Sequence, residues 1–291
     1  MLEHQVQVAT YGVSHQIAGL HITPGQGADV YDEHIEGGRI RWQLLREMHY
    51  WLLAGRHGAA IQRLGYQDSH IRQIAKAVAV LRADFRLPLQ MEQLAADVQQ
   101  RFGAPHLVFN NAGVGAGGLV WENSVKDWEW VLGVNLWGVI HGVRLFTPMM
   151  LEAAGSDPNY EGHIVNTASM AGLLTPPNMG IYNVSKHAVV SLSETLYQDL
   201  ALVTDQVSAS VLCPFFVPTG ISQSERNRPS GAAPAQLTRS QLIGQAMTDK
   251  AVTSGKVTAA EVAQMVFDAV AEGSFYIYSH PKAIASVQTR M

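Results

Sequence analysis

Tyr182-Asn183-Val184-Ser185-Lys186, with Ser169 thirteen residues upstream, is the stretch on which the reading of this chain turns. A Tyr and a Lys four positions apart in a helix lie on one face, a turn from each other. A fixed ammonium beside a phenol favours the phenolate and lowers its pKa. Tyr ordinarily titrates near 10, so work near neutrality needs a shift of roughly 3 units, or about 4 kcal/mol. A Ser hydroxyl converging on the same point holds an alcohol or carbonyl oxygen while the Tyr exchanges a proton with it. The pattern is one for acid–base chemistry on an oxygen.

Outward from this stretch, strands alternate with helices. Gln90–Phe102 has helical periodicity, and Leu107–Phe109 reads as a short buried strand ending in Asn110-Asn111-Ala112-Gly113. Ser124-Val125-Lys126-Asp127 has the form of a capping box that opens a helix. Asn135–Ala154, with Leu136, Val139, Ile140 and Val143 on one face, reads as a second helix. His163–Ala168 is a strand that delivers Ser169 to its end, and Gly180–Val203 is a long helix carrying Tyr182 and Lys186. Ser208–Cys213 is a further strand, Thr258-Ala259-Ala260-Glu261 begins another helix, and Phe275–Tyr278 is a last strand. Such alternation predicts an α/β fold with a doubly wound parallel sheet. Ligands of these sheets bind beyond the carboxyl ends of the strands, where Asn110, Ser169 and Pro214 fall. Ile221–Gly255, rich in Ser, Pro, Ala and Gln, reads as a mobile substrate lid.

Ser169, Tyr182 and Lys186 at this spacing, with the NNAG run and Asn135 upstream, resemble the classical short-chain dehydrogenase/reductase family from about Asp84 to Gly220. The resemblance implies a Rossmann-like single domain and hydride transfer between NAD or NADP and an alcohol or carbonyl substrate. Tyr182 would be the general acid or base, and Lys186 would lower its pKa and bind the nicotinamide ribose. Ser169 would fix the substrate oxygen, and Asn135 would hold a water in a proton relay. Asn110, Ala112 and Gly113 would lie beside the adenosine half. Pro214, Val217 and Thr219 would hold the nicotinamide carboxamide, although Phe215 stands where the family usually has Gly. Asp84, 26 residues before Asn110, would contact the adenine. The family also implies a homodimer or homotetramer; the stripe Val189, Leu192, Leu196, Leu200 suits either a subunit contact or core packing.

Composition sets the outer limits. The 291 residues are 47% hydrophobic and 15% charged, which suits a large globular domain. A net charge of −4 gives no reason to expect nucleic acid or an anionic membrane as partner. The apolar stretch Trp130–Met150 contains Asn135, His141 and Arg144 and reads as a core helix, not a membrane span. The one cysteine, Cys213, lies in an apolar run and is expected to be a buried, inert thiol; with no secretory signal visible, a cytoplasmic location is expected.

The first 85 residues depart from the pattern, so the chain divides into an atypical segment, 1–85, and a catalytic core, 86–291. Gln5–Val13 alternates like a strand, and Arg41–Leu53 and Ile71–Leu81 look helical. Seven of the twelve histidines fall in the first 70 residues, without metal-ligand spacing. No GxxxGxG fingerprint occurs; where it would stand, the chain reads Ile35-Glu36-Gly37-Gly38-Arg39-Ile40-Arg41. The GxGxxG at Gly113–Gly118 follows a strand, but its first Gly ends the NNAG motif, which argues against a phosphate loop. A divergent pyrophosphate site, a replaced unit with little cofactor affinity and a frame-shifted translation up to about residue 89 all remain open. The reading is therefore an NAD(P)-dependent enzyme, with a cofactor-deficient binding or oligomerisation module as the alternative.

Overall fold

A computed structural model describes residues 86–229 and 236–290 in full and the backbone of Val8–Thr10. Asp84, the front histidines, the expected helices at 41–53 and 71–81 and the tip of the expected lid lie outside the described residues. The strands are β1 (Val8–Thr10), β2 (Leu107–Asn110), β3 (Gly162–Thr167), β4 (Val207–Cys213) and β5 (Tyr276–Tyr278). They form a parallel sheet in that order, with Phe109 beside Val165 and Leu212 beside Ile277.

Alternate residues of the strands feed opposite layers. Val108, Ile164 and Ala209 pack with Met91 and Leu94 of α1 (Pro88–Phe102), Phe146 and Met150 of α3 (Gly138–Ser156), and Leu196 and Leu200 of α5 (Gly180–Val203). On the other face, Val165, Leu212 and Ile277 pack with Val262, Val266 and Ala269 of α7 (Ala259–Glu272). Helices on both faces of a parallel sheet make the fold the doubly wound, Rossmann-like α/β class that the alternation predicts. Of the stripe on α5, Val189, Leu196 and Leu200 are buried in this interior, while Leu192 is only partly buried.

Local chemistry sets the helix boundaries. Pro88 occupies the first turn of α1, where a missing N–H costs no helical bond. Ser124 caps α2 (Val125–Leu132) by accepting from the Asp127 N–H, while the Asp127 carboxylate accepts from Ser124 N. Thr258 and Glu261 form the same reciprocal pair at α7. Between α2 and α3 the structure corrects the sequence reading. Asn135 does not open a second helix; α2 runs into α3 through a π-helical turn, Gly133–Trp137. Within this turn Asn135 follows buried Val131 by four residues, on the same inward face, and is itself completely buried.

Beyond the turn, α3 crosses β2 at Gly142. A Cβ at that position would lie 1.9 Å from Asn110 Oδ1. Asn110 has little room to retreat, because its Nδ2 donates to Asn166 Oδ1 (2.8 Å) and Asn166 Nδ2 in turn donates to Ser193 Oγ (3.0 Å). Gly142→Ala should therefore destabilise the fold by about 2–3 kcal/mol through overpacking. Urea unfolding measures this, and an unchanged midpoint would contradict so close a crossing.

Candidate active site

The carboxyl ends of β3 and β4 and the first turns of α5 enclose a cleft of about 540 Å³. Ser169 follows β3 and caps α4 (Met170–Leu174), its Oγ accepting from Ala171 N at 3.1 Å. Tyr182 and Lys186 come from the first two turns of α5. Gly113, Ser169, Tyr182, Lys186, Pro214, Val217 and Thr219 all line the cleft. Asn110 and Ala112 do not: Asn110 joins the buried amide network, and Ala112 packs in the core beside α1 and α3. Asn111, next in the same motif, does reach the cleft, where its Oδ1 accepts from Thr167 Oγ1 at 2.8 Å.

Lys186 is buried, and its Nζ donates to Thr167 O at 2.8 Å. The same Nζ stands 5.8 Å from the centre of the Tyr182 ring. Burial pushes the Lys186 pKa down to about 8, because the ammonium has lost its water; the Cys213 thiol acts weakly the other way. Burial also dominates Tyr182, raising its pKa above the ordinary phenol value, while a hydrogen bond with Ser169 offsets part of the rise. This reverses the direction expected from the Tyr–Lys spacing alone. Helical spacing brings the two side chains together, but desolvation of the phenolate outweighs the attraction of a lysine that itself leans toward a carbonyl. Cys213 is fully buried and its thiol is pushed up to about 12, which leaves it inert.

Asn135 holds the sides of the site in register. Its Oδ1 accepts from Val114 N (2.8 Å), and its Nδ2 donates to Val114 O and to Ser185 Oγ, both at 3.0 Å. Ser185 Oγ donates to Tyr182 O at 2.8 Å. One buried amide thus ties the loop after β2 to the turn of α5 that carries Tyr182.

That loop contains the GxGxxG run, and no helix begins there: residues 111–117 have no regular secondary structure, and α2 starts at Val125. Its glycines instead receive the 221–255 segment, whose described parts are a 3-10 helix, Gly220–Asn227, and α6, Arg239–Thr253. Gly115 N donates to Ser224 Oγ at 2.8 Å, and Leu119 N to Ser240 Oγ at 2.9 Å. A Cβ on Gly117 would stand 3.1 Å from the Gly244 Cα, so two main chains pass almost in contact. Ile221, Ser224, Glu225, Arg228, Gln241 and Gln245 complete one wall of the cleft.

Phe215 also lines the cleft, at the position where the family's usual Gly is replaced. Its N–H donates to Ser279 Oγ (3.0 Å), and its ring packs on Phe216 and edge-on to His280. Thr219 caps the 3-10 helix, accepting from Ile221 N at 3.5 Å. Sequence reading missed one cleft element altogether, the ion cluster of Asp127, Glu225 and Arg228. The Ser124 capping box pointed to Asp127 as a helix cap but gave no sign of a partner about a hundred positions later. Among the described residues, no group of three metal-ligating side chains occurs and no helix is long and apolar enough to cross a membrane.

Comparison with known proteins agrees with this architecture. The sequence profile described as short chain dehydrogenase matches residues 51–230. A CLA biosynthesis dehydrogenase/reductase from Lactiplantibacillus plantarum is 29% identical over 226 residues, covering 76% of this chain and 77% of the relative. A D-beta-hydroxybutyrate dehydrogenase from Rhizobium meliloti is 28% identical over 183 residues, 63% and 67% of the two chains. Among solved structures, a short chain dehydrogenase/reductase from Burkholderia phymatum in complex with NAD is 54% identical, with a TM-score of 0.67 over 71% of this chain and 72% of that one. With more than half its length matched by the profile, and with this sheet and cleft, the chain belongs to the short-chain dehydrogenase/reductase family of oxidoreductases.

Proposed function

We propose that the protein transfers a hydride between NAD or NADP and an alcohol or carbonyl substrate, with Tyr182 as the general acid and base. The observation that carries this reading is the convergence of Ser169, Tyr182 and Lys186 on one cleft at the carboxyl ends of the strands. The residues present suit a nicotinamide nucleotide. Gly113 leaves bare backbone beside Lys186, since a Cβ there would lie 3.5 Å from Nζ. Among the described residues Nζ donates only to Thr167 O, so its other hydrogens can serve ribose hydroxyls. The complex of the Burkholderia phymatum protein with NAD supports the same cofactor class.

The cofactor supplies the hydride. Ser169 holds the substrate oxygen, and Tyr182 gives it a proton in reduction or takes one in oxidation. The raised phenol pKa keeps Tyr182 protonated at neutral pH, which suits the acid role in reduction. Asn135 has both amide hydrogens engaged by the protein and its Oδ1 accepting from Val114 N, so a relay water would use the second lone pair of that oxygen. Pro214, Val217 and Thr219 would face the carboxamide, and Asn111 and Gly113 the nucleotide beyond it. We further assign the chain to the cytoplasm as a homodimer or homotetramer.

The missing GxxxGxG fingerprint favours one second reading, a homologue that has kept the catalytic residues but binds cofactor weakly. Titration of the full chain with NADH and NADPH separates the two. Micromolar binding that is lost in Lys186→Ala supports the enzyme, and no binding at millimolar cofactor overturns it. Tyr182→Phe should abolish turnover while leaving cofactor affinity nearly intact. Ser169→Ala should lower kcat roughly 10²-fold.

Burying Lys186 also predicts a stability effect. The unfolded state binds the lysine proton more tightly across the window from about 8 up to the ordinary lysine value of 10.5, so stability rises with pH through that range. At neutral pH the buried ammonium costs up to about 3 kcal/mol. Lys186→Met should therefore raise the urea midpoint at pH 7 while removing activity, and a lower midpoint would refute this view of the site.

A further inference from the structure

The wall of the cleft formed by α2 and the 3-10 helix carries an ion cluster of net negative charge. Arg228 Nη1 donates to Asp127 Oδ1 at 2.7 Å, and both side chains are only 4% exposed. Arg228 also grips Glu225 with both prongs, Nε to Oε2 at 2.7 Å and Nη2 to Oε1 at 2.9 Å. The guanidinium lies 4.1 Å from the centre of the Trp130 ring, which packs with Ile181, the neighbour of Tyr182. Burial pushes the Asp127 carboxyl up, but its bonds to Ser124 and Arg228 outweigh that and hold it below the usual carboxylate range. Two carboxylates and one guanidinium leave the cluster with a charge of −1.

The other charged side chain lining the cleft among the described residues is Lys186, which donates to Thr167 O and, in the proposed function, to the ribose. The remaining wall is largely apolar, with Leu174, Met179, Phe216, Ile221, Leu237 and Val252. A substrate carboxylate entering here would meet a guanidinium already engaged by two carboxylates and would lose its water against apolar surface. An uncharged chain would meet matching surface.

We propose that Asp127, Glu225 and Arg228 form a specificity element that restricts this cleft to uncharged, predominantly apolar ketones and secondary alcohols and rejects those ending in a carboxylate. The inference rests on the hydride-transfer reading and names its substrate class. Arg228 acts on specificity by occupying its own charge, and Asp127 and Glu225 are its positioning partners.

The test uses three probes: a linear methyl ketone, the same ketone ending in a carboxylate, and the methyl ester of that keto acid. The full chain with NADH or NADPH should reduce ketone and ester with kcat/KM values within about tenfold of each other, and the keto acid at least about 100-fold more slowly, the scale of like-charge rejection. Glu225→Gln, at a half-exposed side chain, releases one side of the guanidinium. It should raise the acid-to-ester ratio about tenfold. Equal turnover of acid and ester, or an unchanged ratio in Glu225→Gln, overturns the proposal. Calorimetric binding of the same probes to Tyr182→Phe separates this from the redox reading. If ketone and ester bind and the acid does not, while the wild type reduces none of them, the redox reading fails and the substrate class stands. If neither ketone nor ester binds, the substrate class is overturned.

Discussion

The buried amide of Asn135 is the constraint on which the rest of the site depends. By exchanging two hydrogen bonds with the main chain of Val114 and one with Ser185, it fixes the loop after β2 against the turn that presents Tyr182. Asn135 lies four residues after buried Val131 and four before buried Val139, on the inward face of the α2–α3 run. One face of this helical run thus serves both the sheet, through the Gly142 crossing, and the site, through Asn135. A polar group with no exposure is tolerable there because each of its hydrogens has a partner.

The two buried cations of the cleft follow different electrostatic rules. Arg228 is held by carboxylates on two sides and stacks on an indole, so its charge is compensated where it sits. Among the described residues Lys186 has one carbonyl and a neutral phenol nearby, and its ammonium is under-compensated there. An ion pair that closes on itself shapes a wall; an under-compensated ammonium favours an oxygen-rich ligand in front of it.

Much of this was legible in the sequence because it is local. The capping boxes at Ser124 and Thr258, the alternation of short apolar runs with helical periods, and the Tyr182–Lys186 spacing each depend on residues a few positions apart. What was not legible depends on distant partners. The π-helical turn hides within an unbroken helical pattern. The direction of the Tyr182 shift follows from burial, which a five-residue window cannot report. The inward face of Val189, Leu196 and Leu200 is set by the sheet beneath them. Asp127 and Arg228 meet only because the segment after β4 folds back over α2. The glycines at 113–118 match the spacing of a nucleotide loop, a reading the NNAG motif argued against, because close main-chain approach needs the same residue whether the neighbour is a phosphate or another backbone.

That last equivalence bears on how such a cleft changes its clientele. The 3-10 helix and α6 are seated through Gly117 against Gly244 and through main-chain donors at Gly115, to Ser224, and Leu119, to Ser240, contacts made largely by backbone and small hydroxyls. Ile221 lines the cleft but also packs against Gly115, whereas Gln245, Thr248 and Val252 face the cleft and make none of these seating contacts. Shape and polarity of the pocket can therefore be rewritten at those positions while the segment keeps its place. The scaffold separates where the cover rests from what it admits.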